Sequence, residues 1–290
     1  MASVTLARSG LFGRRVPLGS ATSARLRSLG HLEKVALASF VALTVALVLV
    51  PLYLPHSVTT AVGAPLQAPG AGQWMGVDEQ GRDVLSRVLT GMRTSWFSAF
   101  GVIASGVIIG GSIGAVAGMV GGWVDGLLMR ITDVFLALPG PLLVLAVVSA
   151  LGPSLRNTLL AVMVVWWPFY SRVVRSEVRA IMSRSHIEAA RMGGAGWFTV
   201  ARRHVLPGTV GTVLVTASLD VGALLITLSG LSFLGLGSPA PAPELGAMSA
   251  RGMTYLFTGW WIPVFPALGV CLLAFVANLC GDAVADLTEA

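Results

Sequence analysis

The chain has 290 residues, of which 55% are hydrophobic and only 11% are charged. Soluble domains have roughly 45–50% apolar and ~25% charged residues, so this composition indicates an integral membrane protein and excludes an ordinary soluble one. The formal net charge of +6 comes from basic segments beside apolar spans, which favours membrane topology over nucleic-acid binding as its cause.

Apolar stretches long enough to cross a bilayer core as helices recur along the chain, since a helix of ~20 residues suffices. The predicted spans are 35–54, about 95–119, about 127–151, about 158–174, about 209–231 and about 260–279. A signal peptide is the weaker interpretation of the first span, because its basic leader is long and its apolar run fills a membrane. The sequence therefore predicts an all-α integral membrane protein with six transmembrane helices.

Two segments concentrate positive charge. Residues 1–34 hold six basic residues against one glutamate, and residues 172–204 hold seven arginines against two glutamates. Basic segments beside spans stay in the cytoplasm, and six crossings return the chain to its starting side, so both termini are predicted to be cytoplasmic. The predicted organisation is a basic N-terminal segment at 1–34, a first span at 35–54, an extracytoplasmic segment at 55–93, a transmembrane domain at 94–283 with a loop at about 183–207, and a cytoplasmic tail at 284–290.

Spans two and three carry local features. Gly106, Gly110 and Gly114 recur every four residues, which leaves one helix face without side chains and favours close contact with a neighbouring helix. The alternative is that glycine is simply common in membrane helices. Arg130 and Asp133 lie three residues apart in span three and are expected to form an ion pair.

The sequence contains no recognisable catalytic motif. Cys271 and Cys280 have no Cys or His at metal-ligand spacing, and His186 with Glu188 does not form H-E-x-x-H. A G-x-x-x-x-G-K-[ST] phosphate loop does not occur, and Lys34 is the only lysine. We therefore predict no catalytic residue, no metal and no cofactor. A membrane enzyme and an ion-driven carrier stay as remote alternatives.

The basic loop at about 183–207 contains the most informative pattern. Glu188-Ala189-Ala190 is followed after three residues by Gly194 and after eleven more by Leu206-Pro207. Gly194 permits a turn after a helix, and Pro207 can begin span five without losing a hydrogen bond. We expect a short amphipathic helix at about 185–197 along the membrane surface.

Each face of that short helix has a predicted role. Ile187, Ala190 and Met192 are available for packing. Arg184, Glu188 and Arg191 are available for polar contacts. A helix of this kind offers a rigid lever to a soluble partner.

This pattern resembles the E-A-A loop of permease subunits of binding-protein-dependent ABC importers. Arg203-His204-Val205-Leu206-Pro207 is similar to the R-H-x-L-P variant of the dipeptide and oligopeptide branch. Asp78-Glu79-Gln80-Gly81-Arg82-Asp83 and Leu231-Ser232-Phe233-Leu234-Gly235 resemble further segments of that branch, and the match extends over about 74–286. The chain thus resembles the C-type permease subunit of a dipeptide-like importer.

The resemblance implies a type I ABC importer permease fold in the bacterial cytoplasmic (inner) membrane. The implied partners are a homologous second permease in a heterodimer, two P-loop ATPase subunits or one fused ATPase, an extracytoplasmic substrate-binding protein and membrane lipid, but no nucleic acid. Di- or oligopeptides are the expected cargo, with nickel chelates, glutathione or haem as alternatives. The residues implied to couple to the ATPase are Glu188, Ala189, Ala190, Arg191, Gly194, Leu206 and Pro207.

Two features of the second half of the chain leave alternatives open. Asp220 lies about halfway along span five, where an ionisable side chain is costly. It is expected to line the translocation pathway or pair with the partner subunit, and a hydrogen bond between packed helices is an equal alternative. The loop at 233–259, with Pro239, Pro241 and Pro243, could support a binding protein or serve as a stiff connector.

Overall fold

The computed structural model describes residues 30–289, and these residues are helical apart from turns, loops and two isolated β-bridges. Most of the predicted N-terminal segment and Ala290 lie outside the described residues. The helices are α1 (His31–Tyr53), α2 (Val84–Val120), α3 (Gly122–Ala137), α4 (Gly140–Leu151), α5 (Leu155–Met182), α6 (Ser185–Met192), α7 (Trp197–Val200), α8 (Leu206–Phe233), α9 (Leu245–Gly252) and α10 (Trp261–Glu289). A π-helical turn at Ala201–Val205 joins α7 to α8, and a 3-10 turn at Met253–Tyr255 follows α9.

Six helical units correspond to the six predicted spans. Four stretches in the described residues are individually long and apolar enough to cross a membrane: α1, α2, Trp197–Phe233 and Trp261–Thr288. The pair α3 and α4 makes a fifth as a broken span. The sixth unit, α5, has 28 residues but is less apolar than the other spans. Trp166-Trp167-Pro168 and several arginines lower its mean hydropathy.

The third span is interrupted where a continuous helix was expected. Its two halves, α3 and α4, meet at an angle of 85°. Pro139 has no N–H to continue a helix, and the residue before a proline is pushed out of the helical region, so Leu138 is extended. The bend follows from this local chemistry, which a count of apolar residues does not register.

The second span begins earlier than its apolar run. Asp83 caps α2, because its carboxylate accepts a hydrogen bond from the Ser86 backbone N–H at 2.9 Å. The helix therefore includes the last ten residues of the segment that was expected to be wholly extracytoplasmic. We call the end of the bundle that carries residues 183–207 the basic side, and the end that carries residues 54–83 and 234–260 the opposite side.

The main core lies where α1, α2, α5, α8 and α10 meet. Trp96 of α2 is fully buried and donates a hydrogen bond from Nε1 to Thr44 Oγ1 of α1 at 3.2 Å. Its ring centroid lies 5.2 Å from that of Phe40 and 5.3 Å from that of Phe100. This aromatic group fastens the first helix to the rest of the bundle.

The predicted glycine face of α2 is confirmed. A methyl group added at Gly110 would lie 3.0 Å from the backbone nitrogen of Ser171 and closer still to the carbonyl oxygen of Trp167. One added at Gly114 would meet the Ser171 carbonyl in the same way. The backbones of α2 and α5 therefore touch, and only glycine allows that distance.

The segment between α8 and α10 folds back into the bundle. Its helix α9 buries Leu245, Ala247 and Met248 and packs against α8 and α10. Much of this segment therefore belongs to the packed interior and is more than a plain connector, while its support of a binding protein stays a prediction.

Candidate functional site

The basic-side loop contains a short helix, α6, with one face buried against the bundle and the other face exposed. Helix α6 ends at Met192, five residues before the expected end at Trp197. Gly194 follows with a φ of +86°, a conformation that glycine adopts without strain, and its N–H bonds to the Arg191 carbonyl at 3.0 Å. The turn predicted at Gly194 is present, and it ends the helix sooner than expected.

A small separate core anchors this helix. Ile187 is fully buried in a cluster that also contains Val178 of α5, Val200 of α7 and Val205 of the π-helical turn. One side chain thus joins α6 to the end of α5 and to the start of α8. Because interiors are closely packed, the short helix has little freedom to shift alone.

The other residues of the motif face outward. Glu188, Ala189 and Arg191 are exposed on α6, Ala190 is half-buried, and Met192 is 81% exposed. The surface of α6 is thus a mixed polar and apolar one with a buried anchor beneath it.

The two halves of the motif lie close together. Leu206 and Pro207 are exposed at the start of α8. The rings of His186 on α6 and His204 in the π-helical turn have centroids 5.7 Å apart, which brings the two halves of the loop together.

Pro207 lies in the first turn of α8, as predicted, but α8 continues from the π-helical turn and does not begin as a separate helix. The Leu206 N–H bonds to the Ala201 carbonyl, five residues back. Pro207 has no N–H for the carbonyl of Arg203, and its ring would clash with that carbonyl in a regular α-helix. The wider π turn accommodates the ring while the helix continues from Trp197 to Phe233.

Ion pairs on the basic side join α3 to α5, and sequence reasoning missed them. Asp125 is buried and accepts hydrogen bonds from Arg175, whose Nη2 lies 2.6 Å from Oδ2, and from Arg179. Asp133 pairs with Arg172 at 2.6 Å, so its expected pairing with Arg130 is wrong. The arginines at 175 and 179 lie one helical turn apart, but the sequence does not say which acid they meet.

On the opposite side, buried hydrogen bonds hold the segment at residues 78–87, part of which resembles the dipeptide branch. The Asp78 carboxylate accepts hydrogen bonds from the Gln80 and Arg82 backbone N–H groups, both at 2.9 Å, and from Arg82 Nε at 2.7 Å. Arg87 is 1% exposed and donates to the carbonyls of Val58 at 2.7 Å and Pro241 at 3.0 Å. These bonds tie the segment before α2 to the loop before α9.

Asp220 is separate from the basic-side loop, midway along α8. Its Oδ2 accepts hydrogen bonds from Trp166 Nε1 at 2.5 Å and from Tyr170 Oη at 3.0 Å, both on α5. The side chain is half-buried. The structure therefore contains the interhelical hydrogen bonds that were one of the alternatives for this residue.

Known proteins share this architecture. A sequence model described as binding-protein-dependent transport system inner membrane component matches residues 106–290. The inward-facing MetNI methionine ABC transporter matches with a TM-score of 0.53 and 22% identity over 70% of this chain and 97% of that one. At that identity the likeness shows the fold, and the fold is the expected type I ABC importer permease fold.

Curated relatives are more similar in sequence. The probable D,D-dipeptide transport system permease protein DdpC of Escherichia coli (strain K12) is 38% identical over 226 residues, 78% of this chain and 76% of the relative. The glutathione transport system permease protein GsiD of Pectobacterium atrosepticum is 38% identical over 77% of this chain and 74% of its own. The dipeptide transport system permease protein DppC of Alkalihalophilus pseudofirmus is 36% identical with the same coverage.

The fold and the curated relatives define a multi-span membrane permease, a transport subunit. The matches also place it in the inner membrane. The chain belongs to the family of inner membrane components of binding-protein-dependent transport systems.

Proposed function

We propose that this chain forms one transmembrane half of an ATP-driven importer and couples to ATPase subunits through α6. The observation that carries the proposal is the buried anchor at Ile187 beneath the exposed residues Glu188, Ala189 and Arg191. A partner that pushes on this surface acts on α5 and α8 together, because both belong to the core that holds Ile187. Gly194 ends α6, and Leu206 and Pro207 are exposed at the start of α8, so these three residues are proposed to belong to the same coupling surface.

The proposed assembly is supported by the family and, for the ATPases, by the exposed surface of α6. A second, homologous permease completes the translocation pathway, two P-loop ATPases or one fused ATPase bind the basic side, and a substrate-binding protein delivers cargo to the opposite side. The arginine-rich loop supports a cytoplasmic location for the basic side, which puts both termini in the cytoplasm.

Di- and oligopeptides are the proposed cargo. The names of the relatives that carry D,D-dipeptide and dipeptide support this class. Glutathione is the second candidate, because a relative of equal identity is named for glutathione transport. Uptake of a labelled dipeptide, competed with unlabelled dipeptide or glutathione, separates the two.

The coupling proposal is tested in liposomes that contain the chain with its second permease, ATPases and binding protein. Glu188→Arg reverses one exposed charge on α6, and Asp286→Arg is its control, an exposed acid at the basic-side end of α10. Gly194→Asp forces a strained backbone, whereas Gly196→Asp is its control at a φ of −68° that any residue adopts.

Both test variants should lower peptide-stimulated ATP hydrolysis at least tenfold, the effect of losing ~1.4 kcal/mol of contact energy. Loss of ATPase binding to the membrane complex would have the same meaning. Stimulation that stays within twofold of wild type in Glu188→Arg and Gly194→Asp would refute coupling through α6, as would equal losses in the test and control variants.

Asp220 is proposed to line the pathway. Both of its hydrogen bonds end on Oδ2, which leaves Oδ1 for a donor from cargo or from the second permease. Asp220→Asn should lower uptake per assembled complex and change its pH dependence, whereas Tyr170→Phe removes one of the same hydrogen bonds and keeps the charge. Equal uptake in Asp220→Asn and wild type, with an unchanged pH profile, would leave only the packing role.

A further inference from the structure

A long apolar groove runs between α2 and α8 in the basic-side half of the bundle. Its volume is about 740 Å³, within the ~300–1,000 Å³ of ordinary ligand sites. Val107 and Val116 line it from α2, and Val210 and Leu214 line it from α8. A groove of this size and lining fits an elongated apolar group.

The hydroxyl groups in the groove are already satisfied. Ser112 and Thr209 are the two hydroxyl side chains in the lining. Ser112 Oγ donates to the Ile108 carbonyl at 2.6 Å, and Thr209 Oγ1 donates to the Leu206 carbonyl at 3.1 Å. Between α2 and α8 the groove therefore offers its occupant dispersion contacts rather than hydrogen bonds, which suits a hydrocarbon chain and not a peptide.

The end of the groove on the basic side has a different character. Trp197 and Phe198 line it there and are 47% and 72% exposed, as aromatic side chains at a membrane interface often are. Ala201 also lines the groove, and the next two residues, Arg202 and Arg203, are exposed. Within residues 30–289 neither arginine has an acidic partner.

We propose that this groove binds an anionic phospholipid of the leaflet on the basic side. One acyl chain occupies the space between α2 and α8, and the negative headgroup lies beside Arg202 and Arg203. A basic residue at the membrane surface enriches an anionic lipid by about fivefold. The apolar lining matches the acyl chain of such a lipid. Trp197, Phe198 and the two arginines without an acidic partner match its interfacial and charged headgroup region.

The test uses quenching of Trp197 fluorescence in the complete transporter in nanodiscs. Two samples contain phosphatidylcholine with a minor fraction of brominated lipid, either brominated phosphatidylglycerol or brominated phosphatidylcholine. The difference between wild type and Trp197→Phe isolates the signal of Trp197 from the other tryptophans. We expect at least about fivefold stronger quenching by the anionic lipid at equal fraction.

Two variants locate the lipid. Arg202→Gln with Arg203→Gln should abolish the preference for phosphatidylglycerol. Gly111→Leu should reduce quenching by filling the groove, since a methyl group at Gly111 meets only Val174 Cγ2, at 3.8 Å. Gly101→Leu is the matched control on the same helix, outside the groove and with open space around it.

Three results would overturn the proposal. Equal quenching by the two lipids would mean unselective contact with bulk lipid. Absence of Trp197 quenching would mean that protein fills the groove, either the second permease or residues 1–29. A preference that survives the double arginine variant would mean that the headgroup is held elsewhere.

Discussion

Gly110→Ala should destabilise the bundle by an amount that the helix contact determines. The added methyl group would lie 3.0 Å from Ser171 N and from the carbonyl carbon of Trp167, against the ~3.5–4.0 Å of a favourable contact. Its neighbours are backbone atoms, so α2 and α5 must separate instead of a side chain turning aside. Overpacking of this kind costs about 1–3 kcal/mol.

Gly111→Ala is the control one residue away. Its methyl group would meet Val174 Cγ2 at 3.8 Å, an ordinary contact, and alanine stabilises a helix by about 0.5–1 kcal/mol relative to glycine. Both variants gain this helix propensity, so they should differ by the overpacking cost alone, roughly 1–3 kcal/mol, or about 2–12 °C in melting temperature on the scale of soluble domains.

To compare this pair, the solubilised complex is heated, and size-exclusion chromatography then measures the fraction that stays monodisperse. We expect the Gly110→Ala complex to melt below wild type and the Gly111→Ala complex to melt at or above it. If Gly110→Ala melts at or above Gly111→Ala, the backbones of α2 and α5 do not touch at Gly110.

Two further predictions concern charged side chains. Asp125→Asn should lower the free energy of unfolding by about 1–3 kcal/mol, because it weakens the hydrogen bonds of a buried carboxylate to two arginines. Asp133→Asn should lower it by only ~0–1 kcal/mol, because the side chains of that ion pair are each 56% exposed. Equal shifts in melting temperature would contradict this ranking. Burial raises the pKa of Glu244, although hydrogen bonds from Ser232 and Ser238 oppose the shift. The folded state then holds the proton more tightly, so the contribution of Glu244 to stability is most favourable below about pH 4.3 and weakens as the pH rises through the raised pKa. Glu244→Gln should melt above wild type at neutral pH, and the gap should narrow as the pH falls; a gap that is constant with pH would refute the assignment.

Features that depend on local chemistry could be read from the sequence. The spacing of Gly106, Gly110 and Gly114 fixes one bare helix face, and any neighbour that packs there must come close. Gly194 after a short helix indicates a left-handed turn wherever the chain lies. The apolar runs likewise require helices, because a bilayer leaves no other partner for the backbone.

Features that depend on which helices become neighbours could not be read in this way. Asp133 has Arg130 one turn away, yet packing of α3 against α5 brings Arg172 closer. Pro139 causes the bend before α4, but a count of apolar residues gives the length of a span and not the direction of its helix axis. The burial of α9 also depends on surfaces of α8 and α10 that are far away in sequence.

The small core that contains Ile187 links the short helix α6 to α5 and α8. Ile187 of α6 shares that core with Val178 of α5 and with Val205, which continues into α8. A displacement of α6 must therefore either carry α5 and α8 with it or open a cavity around Ile187, and a cavity costs ~2–5 kcal/mol when a large aliphatic side chain loses its contacts. Because α2 touches α5 through its glycine face, and α3 is held to α5 by Asp125, a push on α6 that keeps the core closed also moves α2 and α3. If α6 couples to the ATPases as proposed, one buried side chain therefore transmits its movement to most of the bundle.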